Sequence, residues 1–165
     1  MRASALAMFF VILALSGSGT SRLESLADRV VIDKSERTLR LQRDGRVMKT
    51  CKVALGSSPE GPKRCEGDGR TPEGTYRITG RNAKSAYHRS LRISYPGAAD
   101  LESSRKLGCR AGGDIMIHGI TNGLGWIGAQ HRTIDWTAGC IAVTDEEIEE
   151  IWAMVPDGTL VEIRP

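Results

Sequence analysis

Two residues of this chain have the types and the setting for nucleophilic chemistry. His118 ends the apolar run Ile115-Met116-Ile117 and is followed by Gly119. Cys140 follows Thr137-Ala138-Gly139 and opens a second apolar run, Ile141-Ala142-Val143. A thiol becomes a strong nucleophile when a base takes its proton, and a neighbouring histidine is the usual base. Each residue also has a plainer reading, His118 as a satisfied structural histidine and Cys140 as a core thiol. Context weighs against both. Gly119 and the later Gly123, Gly125 and Gly128 permit close backbone approach, and small residues leave room around the sulfur. The N–H groups of Cys140 and its neighbours can point at an oxyanion. The chemistry on offer is acyl transfer or hydrolysis through a thioester.

The elements that must position this pair read mostly as short strands. Period-two patterns fall at Arg29–Asp33, Thr38–Gln42, Val47–Leu55, Thr75–Thr79 and Leu91–Tyr95. Asp44-Gly45 predicts a two-residue hairpin turn. Gly56 to Gly74 is long, polar and rich in Gly and Pro, and its Pro72 and Gly74 define a turn. Asp68 and Arg70 in that stretch are either functional or turn-stabilising. Residues 98–108 can hold a short helix, and Gly112-Gly113 precede the strand that carries His118. After Cys140 the period changes. Thr144 and Glu147 form a capping box, and Ile148, Ile151, Trp152 and Val155 line one helix face. Trp152 reads as core. Leu160–Ile163 is a final strand. The pattern favours a mainly β fold, a β-sandwich with a short C-terminal helix before the last strand.

The chain has 165 residues, enough for one domain. Residues 1–20 read as a secretory signal peptide: Arg2, the apolar run Ala5–Leu15, then small residues to Thr20. The apolar run is shorter than the roughly 20 residues of a membrane span. Residues 21–165 are then a single exported domain, in the periplasm or cell envelope, with no stable membrane insertion after cleavage. The formal net charge of +3 is too weak and too mixed to argue for nucleic acid. Of four cysteines, Cys51 alternates onto an apolar face with Val47 and Val53, which predicts a buried free thiol. Cys65 and Cys109 lie in polar, loop-like sequence and are the candidate disulfide in an oxidising compartment. The sequence has no C-x-x-C and no H-x-x-x-H spacing, so no metal site is expected.

The two-part pattern Ile117-His118-Gly119 and Thr137-Ala138-Gly139-Cys140-Ile141 resembles the signature of the L,D-transpeptidases (YkuD domain). Gly67-Asp68-Gly69-Arg70-Thr71-Pro72-Glu73-Gly74, the Lys52–Gly56 strand and the terminal helix–strand unit are similar too, so the resemblance covers about residues 28 to 164. It implies a sandwich-like catalytic domain acting on peptidoglycan stem peptides without a cofactor. Cys140 attacks the amide after the third stem residue and releases D-alanine. His118 takes the thiol proton and then activates an incoming amine, which makes a 3–3 cross-link. Gly139 and Cys140 amides serve the oxyanion, and Thr137 and Gly119 shape the site.

The chain departs from the family pattern. Ala138 stands where the motif has its second histidine, and His131 is a candidate for that role. Many members carry Arg or Asn two positions after the cysteine, where this chain has Ala142; Arg132 is a candidate substrate-binding replacement. With water as acceptor the protein is a carboxypeptidase or amidase-type hydrolase of peptidoglycan links. A non-catalytic envelope-binding module is the alternative from another class. Sortases and papain-like peptidases match the order and spacing less well.

Overall fold

Asp44 and Gly45 take positive φ, 49° and 76°, the combination that lets a two-residue turn follow the strands' own twist. The turn joins β2 (Thr38–Arg43) to β3 (Arg46–Lys52), and β1 (Arg29–Asp33) pairs antiparallel with β2. The computed structural model describes residues 25–165; the expected leader, residues 1–20, lies outside the described residues. No helix among the described residues is long and apolar enough to cross a membrane.

The last strand, β8 (Leu160–Arg164), runs parallel to β1. β4 (Gly74–Ser85) pairs with β8 through Gly74–Arg77, then continues past it to pair with β5 (His88–Ile93). β6 (Met116–His118) lies antiparallel to β5, and β7 (Ile141–Ala142) parallel to β6. The strand order is β3-β2-β1-β8-β4-β5-β6-β7. Ala54, just past β3, exchanges two backbone hydrogen bonds of 2.9 Å with Ala142 on β7, so the series returns to its start. One core fills the space between. Val30, Ile32, Leu39 and Leu41 enter from the first strands, Leu91, Ile93, Ile117 and Ile141 from the later ones. The mainly β reading, with a helix before the last strand, holds.

That helix, α2 (Asp145–Met154), follows α1 (Ala98–Lys106), the short helix expected within residues 98–108. Thr144 Oγ1 accepts from the Glu147 N–H at 3.3 Å, and Glu147 Oε2 accepts from the Thr144 N–H at 3.0 Å, completing the capping box. Ile148, Ile151 and Val155 are fully buried. Trp152 is half-buried against the core, with the guanidinium groups of Arg81 and Arg89 4.2 and 5.0 Å from its ring centre.

Two sequence expectations differ from the structure. Thr75–Thr79 and Leu91–Tyr95 are parts of one long β4–β5 hairpin, whose polar tip hid the continuity. Val47, expected to share the buried face of Cys51, is 53 % exposed. The β2–β3 register shifts between Leu41 and Gln42, and beyond that bulge β3 runs past the core. Cys51 itself is buried and free, and burial pushes its thiol up to about 11. Cys65 and Cys109 are disulfide-bonded, their Cα atoms 5.7 Å apart.

Candidate active site

The parallel register of β6 and β7 sets His118 beside Ala142 and Ile117 beside Ile141. Ile117 and Ile141 point into the core, so His118 and Ala142 point to the opposite face, and Cys140, two residues before Ala142, is on their side. Strands about 4.8 Å apart and a rise of about 3.3 Å per residue put the two Cα atoms about 8 Å apart. His118, at the end of β6, and Cys140, just before β7, are therefore diagonal neighbours across this strand pair, although no hydrogen bond joins them.

His118 is buried beneath two rings. Tyr87, at the turn of the β4–β5 hairpin, lies 4.5 Å from it between centroids, and Trp136 meets it edge-on at 5.8 Å. Its Nδ1 donates to the Gly119 carbonyl at 2.7 Å. Since a carbonyl only accepts, the proton sits on Nδ1 and Nε2 keeps its lone pair. Burial lowers the imidazole pKa below its usual value, and the bond to Gly119 partly opposes that. Gly119 has no room for a side chain: a Cβ there would stand 2.7 Å from Asp145 Oδ1 at the start of α2. Asp145 Oδ1 in turn accepts from the Ile120 N–H at 2.8 Å, which fixes the chain leaving His118.

Cys140 is half-buried and free. Its Sγ lies 3.5 Å from the Asp114 carbonyl. Burial raises the thiol pKa, while the Met116 N–H and the Lys63 ammonium pull it down. A cleft of about 190 Å³ borders the sulfur, lined by Lys63, Glu66, Gly112, Asp114 and Ala138. The Cys65–Cys109 disulfide ties together the two loops that form it. Thr137 holds the approach to Cys140. Its hydroxyl donates to the Cys140 carbonyl at 2.7 Å and accepts from the Gly139 N–H at 3.0 Å. The Gly139 N–H is thus engaged within the turn.

Gly139 is fixed by its backbone. Its φ is +132°, and a Cβ would meet the Arg70 carbonyl at 2.5 Å. Gly139→Ala is expected to cost roughly 2–4 kcal/mol from strain and overpacking, lowering Tm by about 10 °C in a calorimetric scan. A change of under 2 °C would mean that this turn accommodates a side chain.

The other expected residues take different places. His131 is buried, its Nδ1 accepting from Trp136 Nε1 at 3.4 Å. Burial and the neighbouring Arg132 lower its pKa to about 4, so it is neutral. Its Nε2 has no partner among the described residues. Arg132 pairs with the capping Glu147, so its guanidinium is committed to the N-terminus of α2. Asp68 stabilises its turn: it accepts from the N–H groups of Arg64, Cys65 and Arg70 at 2.7–3.0 Å and from Lys63 Nζ at 2.8 Å. Burial pushes its carboxyl pKa up, but these donors outweigh it and hold it at about 2. Asp135 anchors the loop before Cys140, accepting from the Leu55 N–H at 2.8 Å and pairing with Arg37 at 2.9 Å. Sequence reasoning missed Tyr87, because only the hairpin register brings it over His118.

Compared with known proteins, residues 27–163 match the model of the L,D-transpeptidase catalytic domain (YkuD). The chain is 29 % identical over 142 residues to the Escherichia coli K12 protein named "Putative L,D-transpeptidase YafK", covering 82 % of this chain and 50 % of that protein. It thus spans about half the length of the relatives it matches. The crystal structure of the helical cell shape determining protein Pgp2 from Campylobacter jejuni superposes with a TM-score of 0.64 at 26 % identity, over 82 % of this chain and 46 % of that one. An L,D-transpeptidase from Mycobacterium smegmatis shares the fold, with a TM-score of 0.54 at 15 % identity over 83 % of this chain and 58 % of that one. With the family model spanning nearly every described residue, this chain belongs to the L,D-transpeptidase catalytic domain family.

Proposed function

We propose that this chain is an exported L,D-transpeptidase that acts on peptidoglycan stem peptides through a thioester at Cys140. The observation that carries the reading is a half-buried thiol just before β7 set diagonally across from the His118 imidazole at the end of β6, whose Nε2 keeps its lone pair. Cys140 Sγ attacks the carbonyl carbon of the third stem residue as its proton passes to His118 Nε2. With the Gly139 N–H held by Thr137, the oxyanion is served by the Cys140 N–H. The tetrahedral intermediate collapses, and the departing D-alanine amine takes the proton from His118. An acceptor amine then gives a proton to His118, attacks the thioester carbonyl and releases the thiolate, which is reprotonated. Thr137 and Gly139 keep the turn in shape, and Gly119 lets α2 approach the base. In this reading residues 1–20 are the cleaved signal, and residues 21–165 work in the periplasm or envelope. The likeness to Pgp2, a helical cell shape determining protein, supports a matching role in wall architecture.

The test is product analysis. The mature protein, incubated with a disaccharide tetrapeptide, is expected to yield a 3–3 cross-linked dimer and free D-alanine. Tripeptide without dimer would assign water as the acceptor and make the protein a hydrolase. Neither product would leave an envelope-binding module.

A further inference from the structure

The face that holds His118 and Cys140 extends across two more strands. On β5, Ser90 stands opposite His118 and Arg92 opposite Met116. On β4, Asn82 stands opposite Ser90 and Gly80 opposite Arg92. Two transverse rows result, Asn82–Ser90–His118–Ala142 and Gly80–Arg92–Met116, and the second runs toward Cys140, the residue just before β7. Tyr87 and Trp136 cover His118 in the first row. The second row is open and forms one side of a groove of about 310 Å³, lined by Thr79, Gly80, Asn82, Ser90, Arg92 and Met116.

We propose that this groove recognises the C-terminal carboxylate of the peptide being cleaved, with Arg92 as its ionic contact and Ser90 as a supporting donor. The proposal rests on the peptide acyl-transfer reading above and adds the residue that selects the substrate's end. Three observations support it. First, two gaps of about 4.8 Å separate β5 from β7, so the Arg92 and Cys140 backbones lie about 10 Å apart with only Met116 between them. Arg92 reaches toward the thiol already: its guanidinium is 2.9 Å from the Asp114 carboxylate, and the Asp114 carbonyl is the group 3.5 Å from Cys140 Sγ. A peptide advances about 3.5 Å per residue, which puts a carboxylate one residue beyond the scissile amide within this reach.

Second, the pair that Arg92 makes is easily exchanged. The Arg92 and Asp114 side chains are 54 % and 71 % exposed, and exposed ion pairs contribute little to stability. A substrate carboxylate can replace Asp114 and take the bidentate geometry a guanidinium offers. Arg132, by contrast, is committed to Glu147, and Ala142 carries no charge. Third, Ser90 is 1 % exposed and its Oγ has no hydrogen-bond partner among the described residues. A buried hydroxyl without a partner is costly. It lines the groove two residues from Arg92 on the same face, where a bound carboxylate oxygen would accept from it.

The test compares thiol acylation by a tetrapeptide with a free C-terminal carboxylate and by its C-terminal amide, followed by intact-mass spectrometry. For the wild-type protein the acid is expected to react about 10–100-fold faster, the worth of a charged hydrogen-bonded contact. Arg92→Ala is expected to bring the acid-to-amide rate ratio close to one. Arg92→Lys should keep part of the preference, because it keeps the charge and loses the fork. An acid-to-amide ratio unchanged in Arg92→Ala overturns the proposal. If the wild-type protein is acylated by neither peptide, the acyl-transfer reading fails, and the carboxylate site is then decided by binding. Saturable amide-resonance shifts at Ser90 and Arg92 with the acid alone keep it; equal shifts with both peptides, or none, overturn it.

Discussion

Cys140→Ala is expected to abolish acyl transfer, by a factor on the order of 10⁴ or more, as removal of a covalent nucleophile does elsewhere. The fold should survive. Cys140 is half-buried at the edge of a cleft and is no part of the apolar core. Its sulfur makes only weak polar contacts, to the Asp114 carbonyl at 3.5 Å and with the Met116 N–H, so a methyl group in its place loses little. Circular dichroism and Tm close to those of the parent, with no turnover, are the predicted pair of results. Loss of fold together with activity would make Cys140 a structural thiol. Cys51 provides the control. It is buried among core side chains, its thiol pushed up to about 11 by burial, and Cys51→Ala should lower Tm while leaving turnover in place.

His118→Ala is expected to slow acylation about 10²–10⁴-fold, the usual contribution of a positioned general base. The pH profile separates this role from a packing role. Burial lowers the imidazole below its usual 6.5, so His118 is neutral at pH 7 and can accept the thiol proton. Activity should then be lost as the pH falls through that lowered value, and hold steady across neutral pH. Burial raises the Cys140 thiol above its usual 9.0, so little thiolate exists at pH 7 without the base. In His118→Ala the acid limb should vanish and the remaining rate should climb with pH beyond 9, following the thiolate. An unchanged profile, or a rate within a few-fold of the parent, would remove His118 from the chemistry.

Much of this arrangement is legible in the sequence because local chemistry dictates it. Asp44-Gly45 forms its turn since both residues tolerate positive φ, and Thr144 and Glu147 cap α2 since their side chains reach each other's backbone. Cys51 is buried and the Cys65–Cys109 bond is present, as alternation and loop setting suggest. Long-range pairing is what the sequence conceals. Nothing local shows that Ser90 stands across from His118, or that Arg92 stands across from Met116. Tyr87 reaches His118 only because β4 and β5 form one hairpin. Arg132 reads as an available cation until α2 brings Glu147 beside it. The Gly139 N–H reads as an oxyanion donor until the Thr137 hydroxyl, two residues back, is seen to accept from it. The pairing of the strands determines which polar groups remain available to a ligand.

A thioester on Cys140 is visible by intact-mass spectrometry of the mature protein. Incubation with a tetrapeptide-stem muropeptide, and separately with a carbapenem, is predicted to add one acyl group that maps to Cys140 and is absent from Cys140→Ala. A protein that stays unmodified with both reagents, its Cys140 reduced and intact, would rule out Cys140 as the nucleophile.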